Sequence, residues 1–213
     1  MVDFQERDTK RDLRDEEDGE EPEEEPDERT ESPEGEPAGE QRHDHHAHDL
    51  ETVGVGVVTV SSTRTLEDDP SGDAIAAAVE EAGHEVVTRE LVEDSLDGVQ
   101  SAVNNLIGRS DVDLVVTTGG TGVTPDDITI EAIEPLVDKD LPGFGELFRR
   151  LSAEEIGPRV VATRTTAGVA DGVPVFALPG SVDAVELGME EAILPVAGHL
   201  TGLAQRGLDE DEE

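Results

Sequence analysis

Apolar positions along the middle of the chain change from a continuous run to a spacing of three or four. Residues 53–60 (VGVGVVTV) are apolar and β-branched, which is typical of a strand buried on both faces. Ile75, Val79 and Ala82 then share one side of a helix that ends at Gly83. This change of spacing predicts a strand followed by a helix.

The same succession returns in the next part of the chain. Residues 84–92 predict a second strand and residues 112–117 a third. Between them, Asp94 and Ser95 mark the start of a helix and Gly108 marks its end. The apolar face of this helix consists of Leu96, Val99, Val103 and Leu106.

Three further helices are predicted. A short one covers residues 129–137, and Pro142 and Gly143 separate it from a longer one. The final helix covers residues 181–194. The apolar face of the longer helix consists of Phe144, Leu147, Phe148 and Leu151.

A hairpin lies before the final helix. Residues 160–169 and 173–178 predict two strands joined at Asp171 and Gly172, because Asp-Gly is typical of a tight hairpin turn. The three preceding strand and helix units predict parallel strands with helices on both faces. The expected fold class is therefore a three-layer α/β fold with a mostly parallel sheet and one edge hairpin.

The composition changes at both ends of this region. Residues 1–50 contain 21 acidic and 6 basic residues and scarcely any bulky apolar side chain after Leu13, which predicts a disordered acidic tail. Residues 207–213 are a second acidic tail, so the α/β domain spans residues 51–206. The first tail ends in a cluster that is either incidental or a transition-metal site. The cluster consists of His43, Asp44, His45, His46 and His48.

The charge is strongly negative throughout. There are 54 acidic and 15 basic residues, a net charge of -39, only two lysines (Lys10 and Lys139) and 2% aromatic residues. This combination indicates a halophilic protein, because multimolar salt screens repulsion beyond about 3 Å. The alternative is an acidic protein of an ordinary cell. Either way, the charge argues against nucleic acid as a partner, because phosphates would be repelled.

Other classes of protein and site are excluded by what the sequence lacks. The absence of cysteine excludes disulfides, thiolate metal sites and cysteine nucleophiles. No run approaches the roughly 20 apolar residues of a membrane span, and the N-terminus is acidic where a signal peptide would be basic, so a cytoplasmic protein without a membrane partner is expected. His84 and His199 are expected to be structural or surface residues.

Polar and glycine-rich loops follow the predicted strands, and ligands of such sheets bind at that edge. In residues 118–122 (TGGTG), glycines let main-chain N–H groups approach an anion, and Thr121 adds a hydroxyl donor. This loop predicts a phosphate cradle, although a tight structural turn would use the same residues. The candidate binding residues are Ser61, Ser62, Thr118, Gly119, Gly120, Thr121, Gly122, Pro179, Gly180 and Ser181.

Carboxylates accompany this cradle. Asp94 follows the second strand, and Asp126 and Asp127 follow the glycine loop, so they could hold Mg²⁺ that bridges phosphate oxygens. The alternative is that Asp94 and Asp127 cap the helices that begin just after them. Ser181 is open to the same two interpretations.

Several motifs, taken together, carry a family resemblance. The segments TTGGTGVTPDDIT, LPGFGELFR, LSAEEIG, RTTAGVADG and FALPGS occur in this order, preceded by VSSTR and DDPSG. They closely resemble the molybdenum cofactor biosynthesis B proteins, which are relatives of the molybdopterin adenylyltransferases and of the gephyrin G domain. The resemblance covers about residues 52–200.

The resemblance implies a molybdopterin-binding fold and an activity. In the adenylyltransferase members, AMP passes from Mg-ATP to the terminal phosphate of molybdopterin, and pyrophosphate is released. The catalytic aspartates of the family match Asp94 and Asp127, which would position Mg²⁺ and the nucleotide phosphates. Its glycine loop matches residues 119–122, its pterin-side loop matches residues 179–181, and Ser61 and Ser62 match the loop after the first strand.

Three positions depart from the family pattern. Glu93 replaces a common proline, Asp126 replaces a common arginine, and Ser62 replaces an aspartate of some relatives. Loss of the arginine either weakens phosphate binding or reflects a protein surface that has become acidic. The first interpretation keeps open a non-catalytic molybdopterin-binding or carrier protein. A scaffolding role that uses the acidic tail is a further alternative.

The resemblance also implies partners. A homotrimer or homohexamer is expected, and the molybdate-inserting enzyme of the pathway is a candidate partner. The sequence leaves open whether the cofactor carries molybdenum or tungsten.

Overall fold

The computed structural model of the protein describes residues 49–206. The predicted histidine cluster, nearly all of the N-terminal tail and the C-terminal tail lie outside these residues. Among the described helices, none has both the length and the apolar character that a membrane crossing needs.

Six strands form one mixed sheet in the order β2-β1-β3-β6-β5-β4. The first four in this order run parallel to one another, whereas β5 is antiparallel to both β6 and β4. The strands are β1 (Gly54–Val60), β2 (Glu85–Val92), β3 (Leu114–Thr118), β4 (Lys139–Asp140), β5 (Thr166–Ala170) and β6 (Val173–Leu178).

Helices cover both faces of this sheet. The α-helices are α1 (Pro70–Glu81), α2 (Leu96–Ile107), α3 (Thr129–Ile133), α4 (Pro142–Ile156), α5 (Val182–Gly188) and α6 (Ala197–Gln205). Short 3-10 helices cover Glu134–Leu136, Gly157–Ala162 and Leu194–Val196, and a π-helical turn covers Met189–Ile193.

Strand β1 is covered on both faces, which explains why its sequence is apolar throughout. Val55 and Val57 contribute to the core beneath α1, α4 and α5, whereas Val58 and Val60 contribute to the core beneath α2 and α3. Because side chains alternate across a strand, a strand covered on both faces needs apolar residues at successive positions. The predicted three-layer α/β class is confirmed.

The hairpin prediction is confirmed at its turn. Asp171 and Gly172 have φ angles of +48° and +78°. Two successive positive φ values are those of a type I′ turn, whose twist matches that of the flanking strands. The prediction that Gly83 ends α1 is also confirmed, because Gly83 has a φ of +82°. The N–H groups of Gly83 and His84 donate back to Glu80 and Val79, at 3.1 and 3.0 Å.

Two residues of the predicted apolar faces are exposed. Ala82 follows the last residue of α1, and Leu96 is the first residue of α2. Both lie at helix ends, where the side chains reach past the sheet. Leu96 is 43% exposed, although Val99, Val103 and Leu106 of the same predicted face are buried.

The predicted strand at residues 160–169 is wrong in its first half. Gly157, with a φ of +60°, ends α4, and a 3-10 helix follows up to Ala162. Strand β5 begins only at Thr166. The β-branched pair Val160 and Val161 suggested a strand, but Val161 is 85% exposed, so no neighbouring strand packs on it.

The end of the chain also differs from the prediction. The final helix was expected to cover residues 181–194, but the α-helical part ends at Gly188 and a separate helix, α6, follows. Pro195 lacks a backbone N–H, which favours a break in the helix at this point. Strand β4 was not predicted, because two residues are too few for a periodic pattern.

Candidate functional site

The carboxyl edge of the parallel strands contains a crevice between β1 and β3. In the sheet, β1 lies between β2 and β3, so the connection that follows β1 leads to one neighbour and the connection that follows β2 leads to the other. Helices α1 and α2 pack on opposite faces of the sheet. This is the topological switch point at which sheets of this class bind ligands.

The glycine loop occupies this switch point. Gly119 and Gly120 have φ angles of +98° and +63°, which non-glycine residues rarely adopt. A Cβ on Gly119 would also collide with the carbonyl oxygen of Val60 at the end of β1. The loop is therefore a tight turn in close contact with β1, and its ligand role stays a prediction.

Helix α3 holds the same loop from the other side. The Thr129 hydroxyl donates to Gly119 O at 2.8 Å, and its N–H donates to Gly120 O at 3.0 Å. Thr121 is 3% exposed, so its hydroxyl lies within the protein rather than on the open surface. The exposed surface of the cradle is consequently mainly backbone.

The loop after β6 lies against the glycine loop. The Thr118 hydroxyl donates to Pro179 O at 2.9 Å, and the backbone of Gly180 packs on that of Gly119. Ser181 is exposed at the N-cap position of α5, but its side chain makes no capping hydrogen bond. Ser181 therefore occupies the capping position that was predicted, although its hydroxyl makes no capping hydrogen bond, and its role toward a ligand stays a prediction.

Asp94 is bound by the loop after β1. Its Oδ2 accepts hydrogen bonds from the N–H of Ser62 at 2.7 Å and from the Ser62 hydroxyl at 2.6 Å. Ser95, not Asp94, caps α2, because its Oγ accepts from Gly98 N at 3.3 Å. The capping interpretation of Asp94 is thus wrong. The Ser61 hydroxyl is turned to its own loop and accepts from the N–H of Arg64 at 3.3 Å.

Asp127 is held by its own loop. Its Oδ2 accepts from the N–H and the hydroxyl of Thr124, at 2.8 and 2.7 Å. The N-cap of α3 is Ile128, without a side-chain hydrogen bond, so Asp127 does not cap that helix.

The environment of Asp127 favours its ionised form. Partial burial acts to raise its pKa, but hydrogen bonds from Thr124 and Gly122 and the charge of Arg164 outweigh burial and lower the pKa below its usual value. The carboxylate therefore keeps its charge near neutral pH.

Arg164 connects the glycine loop to α3. Its Nε donates to Gly122 O at 2.6 Å, one terminal nitrogen donates to Asp127 O at 2.8 Å, and both terminal nitrogens pair with Glu131. A hydrogen bond from Arg164 lowers the pKa of Glu131, and the same bond raises the pKa of the guanidinium. Most N–H groups of the Arg164 guanidinium are therefore used in hydrogen bonds within the protein.

A second network fixes the loop after β6 and was not predicted. Asp69 is 1% exposed and accepts from the Thr59 hydroxyl at 2.6 Å and from Gly72 N at 3.0 Å. Arg64 and Ser71 both donate to Gly180 O, at 3.2 and 2.8 Å.

Two arginines supply the positive charge of this network. Arg89 pairs with Asp69 at 3.3 Å, and Arg64 lies 3.6 Å from the same carboxylate. A local signal existed in the sequence, because Asp69 followed by Pro70 is typical of a helix start. By contrast, the contacts of this network with Arg89 in β2 and with Gly180 after β6 join residues distant in sequence, so they leave no local sequence signal.

The two histidines within residues 49–206, His84 and His199, lie away from this edge. His84 Nδ1 accepts from Val53 N at 3.4 Å, and His199 pairs with Asp49 at 2.7 Å, which agrees with the prediction that both are structural or surface residues. Within residues 49–206, there is no group of three or more histidine, aspartate or glutamate residues that could hold a metal ion by itself.

Comparison with known proteins identifies the family. Residues 56–199 match the family described as "Probable molybdopterin binding domain". The chain is 46% identical over 146 residues to molybdenum cofactor biosynthesis protein B of Bacillus cereus, covering 68% of this chain and 86% of the relative. The chain belongs to the molybdenum cofactor biosynthesis protein B family.

Solved structures of the B family share the fold. A crystal structure of molybdenum cofactor biosynthesis protein B superposes with a TM-score of 0.71 at 44% identity, covering 73% of this chain and 97% of the other. A tungsten cofactor synthesizing protein of Pyrococcus furiosus gives a TM-score of 0.66 at 43% identity, with 73% and 99% covered. The resemblance of the motifs and the predicted fold class are confirmed.

Proposed function

We propose that this protein transfers AMP from Mg-ATP to the terminal phosphate of molybdopterin. Its place in molybdenum cofactor biosynthesis rests on the family to which it belongs. The observation that carries the finer proposal is that Asp94 and Asp127, in the loops after β2 and β3, are each held through Oδ2 by an N–H and a hydroxyl.

The reaction needs positioning more than a protein nucleophile. An oxygen of the terminal phosphate of molybdopterin attacks the α-phosphorus of ATP, the bond to the β-phosphate breaks, and pyrophosphate leaves. Nucleotidyl transfer of this kind depends on alignment and on stabilisation of developing charge. The N–H of Gly119 donates to Leu178 O at 3.0 Å, so the backbone N–H groups of residues 120–122 and the hydroxyl of Ser181 would bind the phosphates.

Asp94 and Asp127 are suited to hold Mg²⁺. Mg²⁺ commonly binds one or two carboxylates together with substrate phosphates and water, so a site completed by the nucleotide needs no third acidic side chain. The lowered pKa of Asp127 keeps this ligand charged. When bound, Mg²⁺ would neutralise charge on the phosphates.

The positive potential of the site would come from Mg²⁺ and backbone dipoles. Arg64 and Arg164 also carry positive charge near these loops, but their guanidinium groups donate to Gly180 O, Gly122 O and Asp127 O. In a chain with a net charge of -39, this makes magnesium dependence a firm expectation of the proposal.

One observation favours a non-catalytic molybdopterin-binding or carrier protein as a second candidate. Asp126 is exposed next to Asp127, where the family resemblance places an arginine. A negative charge here would oppose ATP more than an uncharged pterin ring. The Asp126→Arg variant should then gain ATP binding.

The test is direct. The full chain is incubated in multimolar KCl with Mg-ATP and molybdopterin, and adenylylated molybdopterin and pyrophosphate are measured by mass spectrometry and a coupled assay. We expect both products in equal amounts. Folded protein that binds molybdopterin but neither binds ATP nor forms product would support the carrier instead.

The assembly and its partners also stay proposals. We expect a homotrimer or homohexamer, which light scattering in the same salt would measure. We further expect delivery of the product to the molybdate-inserting enzyme. A scaffolding role of the acidic tail concerns residues outside those described, and deletion of residues 1–48 would test it.

A further inference from the structure

The backbone carbonyl of Gly180, in the loop after β6, accepts hydrogen bonds from two side chains at once. The Ser71 hydroxyl donates to it at 2.8 Å, and a terminal nitrogen of Arg64 donates to it at 3.2 Å. These donors lie 109 and 116 residues away in the sequence. A carbonyl oxygen has two lone pairs, so both of its acceptor positions are occupied by protein groups.

The two donors also bind each other. The second terminal nitrogen of Arg64 donates to Ser71 Oγ at 2.9 Å. A hydroxyl has a single proton, and since the Ser71 oxygen already accepts from Arg64, its proton is directed to Gly180 O. Ser71 is fully buried, so water does not compete for this bond. Arg64, Ser71 and Gly180 O form a closed set of three hydrogen bonds, which we call the Gly180 triangle.

A buried carboxylate anchors the Gly180 triangle. Asp69 is 1% exposed and lies 3.6 Å from the Arg64 guanidinium. The same carboxylate accepts from the Thr59 hydroxyl of β1 and from the N–H of Gly72 in α1. Arg64 is thereby tied to a strand and a helix of the core. Its charge faces a carboxylate, so its role here is that of a fixed hydrogen-bond donor.

The direction of the Gly180 carbonyl determines the backbone of Ser181. A trans peptide group is planar, and its N–H points away from its own carbonyl oxygen. Holding Gly180 O therefore sets the direction of the Ser181 N–H and the backbone position from which the Ser181 side chain extends. The loop is also packed closely on the glycine loop, because a Cβ on Gly180 would lie 3.2 Å from Gly119 Cα.

We infer that Arg64 and Ser71 are positioning residues for molybdopterin, which act through the peptide group between Gly180 and Ser181. The inference rests on the proposed function, because it takes residues 179–181 as the side of the site that binds molybdopterin. Neither side chain has to touch the substrate. Both hold the loop in its ligand-binding geometry beforehand, so that less ordering is needed when molybdopterin binds.

The nucleotide side of the site has separate supports. Asp94 and Asp127 accept hydrogen bonds from Ser62 and Thr124, not from members of the Gly180 triangle. Loss of the triangle should therefore weaken the binding of molybdopterin and leave the binding of Mg-ATP unchanged. A role in stability alone would not produce this difference between the two substrates.

The experiment removes the two donors separately and together. Binding of molybdopterin and of Mg-ATP to the full chain is measured by calorimetry in multimolar KCl for the wild type, Ser71→Ala, Arg64→Met and the double variant. We expect each single variant to bind molybdopterin about two- to tenfold more weakly, which is the net worth of one hydrogen bond. The double variant should lose more than the product of the two single losses, because either donor alone still holds the carbonyl. Mg-ATP binding should match the wild type throughout.

Ser152→Ala is the matched control for Ser71→Ala. Both serines are buried in helices, Ser71 in α1 and Ser152 in α4, at 0% and 6% exposure. The control should bind both ligands as the wild type does. Circular dichroism in the same salt establishes the folding of each variant, and the two single variants decide the question if the double variant does not fold.

The other outcomes overturn the inference or separate it from the proposed function. Folded variants that bind molybdopterin as the wild type does, or that lose both ligands equally, would show that the network is only structural. Selective loss of Mg-ATP would assign residues 179–181 to the nucleotide and overturn the inference as well. A wild type that binds molybdopterin but not Mg-ATP contradicts the proposed transfer alone, and the inference stands if the variants bind molybdopterin more weakly. A wild type that binds no molybdopterin contradicts both.

Discussion

Asp94 and Ser62 exchange hydrogen bonds in both directions, through the Asp94 carboxylate and the Asp94 backbone N–H. The Ser62 hydroxyl donates to Asp94 Oδ2 at 2.6 Å and accepts from the Asp94 N–H at 3.2 Å. The N–H of Ser62 donates to the same carboxylate oxygen at 2.7 Å. The loops after β1 and β2 are thereby joined at the carboxylate that we propose as a magnesium ligand.

Ser62→Ala should lower activity without unfolding the protein. The substitution removes the hydroxyl that orients Asp94 but keeps the backbone bond. Loss of such a supporting contact typically costs about 10- to 100-fold in metal affinity or activity. The measurement is the dependence of kcat on the Mg²⁺ concentration, together with the thermal midpoint in multimolar KCl.

Ser110→Ala is the control for this variant, because Ser110 is an exposed serine in the loop between α2 and β3, at the opposite edge of the sheet. It should behave as the wild type. An unchanged magnesium dependence in Ser62→Ala would remove Ser62 from the site.

Gly119→Ala should disrupt the cradle. The φ of +98° is unfavourable for alanine, and the new Cβ would collide with Val60 O. Backbone strain of this kind costs about 1–3 kcal/mol, so we expect a lower free energy of unfolding and loss of phosphate binding. Urea titration and tripolyphosphate calorimetry measure the two effects.

Gly143→Ala is the matched glycine control. A Cβ there would meet no described atom within 4 Å, and the φ is not positive. Substitution at such a compatible position stabilises by about 0.4–1 kcal/mol. Equal stability of the two alanine variants would contradict the strained geometry at Gly119.

Much of the fold could be predicted, because strands with both faces buried and helices with one apolar face have distinct patterns. Val55 to Val60 illustrate the first pattern, and Val99, Val103 and Leu106 the second. Residues 160–165 were misassigned since β-branched residues favour strands only where a neighbouring strand packs on them.

The candidate site was predictable only in part. Motifs indicated Asp94 and Asp127, but the partners that orient their loops are distant in sequence. Arg164 lies 42 residues from Gly122, to which it donates, and Arg64 lies 116 residues from Gly180. Such contacts depend on sheet order and leave no local periodic signal.

Arg164→Met should change the pH dependence of activity. Burial raises the pKa of Asp127, but Thr124, Gly122 and Arg164 together lower it, so the folded protein keeps this carboxylate charged to lower pH than the unfolded chain. The stability that ionised Asp127 contributes is fully present above the pKa that this carboxyl has in the unfolded chain. It is lost as the pH falls through the lower pKa of Asp127 in the folded protein. Without Arg164 the acid limb of the activity profile should move to higher pH.

The same variant should also be less stable. Hydrogen bonds to charged groups are each worth about 1.5–3 kcal/mol, and the partial exposure of Arg164 places the expected loss at the lower end. Arg109→Met, which removes an exposed arginine paired with Asp111, is the control and should have a wild-type pH profile. An acid limb that stays in place in Arg164→Met would refute the proposed electrostatic role.

Lowering the salt should unfold the domain. Residues 51–213 contain 33 acidic and 9 basic residues. Repulsion among these charges extends to about 10 Å at 0.1 M salt but only to about 3 Å at 1 M. We expect the thermal midpoint, followed by circular dichroism, to fall steeply as KCl decreases.

Sucrose of equal osmolality is the control for salt. Sucrose stabilises folded proteins by exclusion from their surface but screens no charge, so it should raise the thermal midpoint much less than KCl does. A midpoint that is the same at low and multimolar KCl would favour the alternative, an acidic protein of an ordinary cell.

The central claim is that Asp94 and Asp127 support adenylyl transfer at this edge of the sheet. Its most direct test is single-turnover formation of adenylylated molybdopterin in multimolar KCl by the wild type, Asp94→Asn and Asp127→Asn, with Asp97→Asn, an exposed residue of the first turn of α2, as control. We predict product from the wild type and Asp97→Asn, and a loss of at least about 100-fold in the other two variants. Product formation by Asp94→Asn and Asp127→Asn at the wild-type rate would contradict the account.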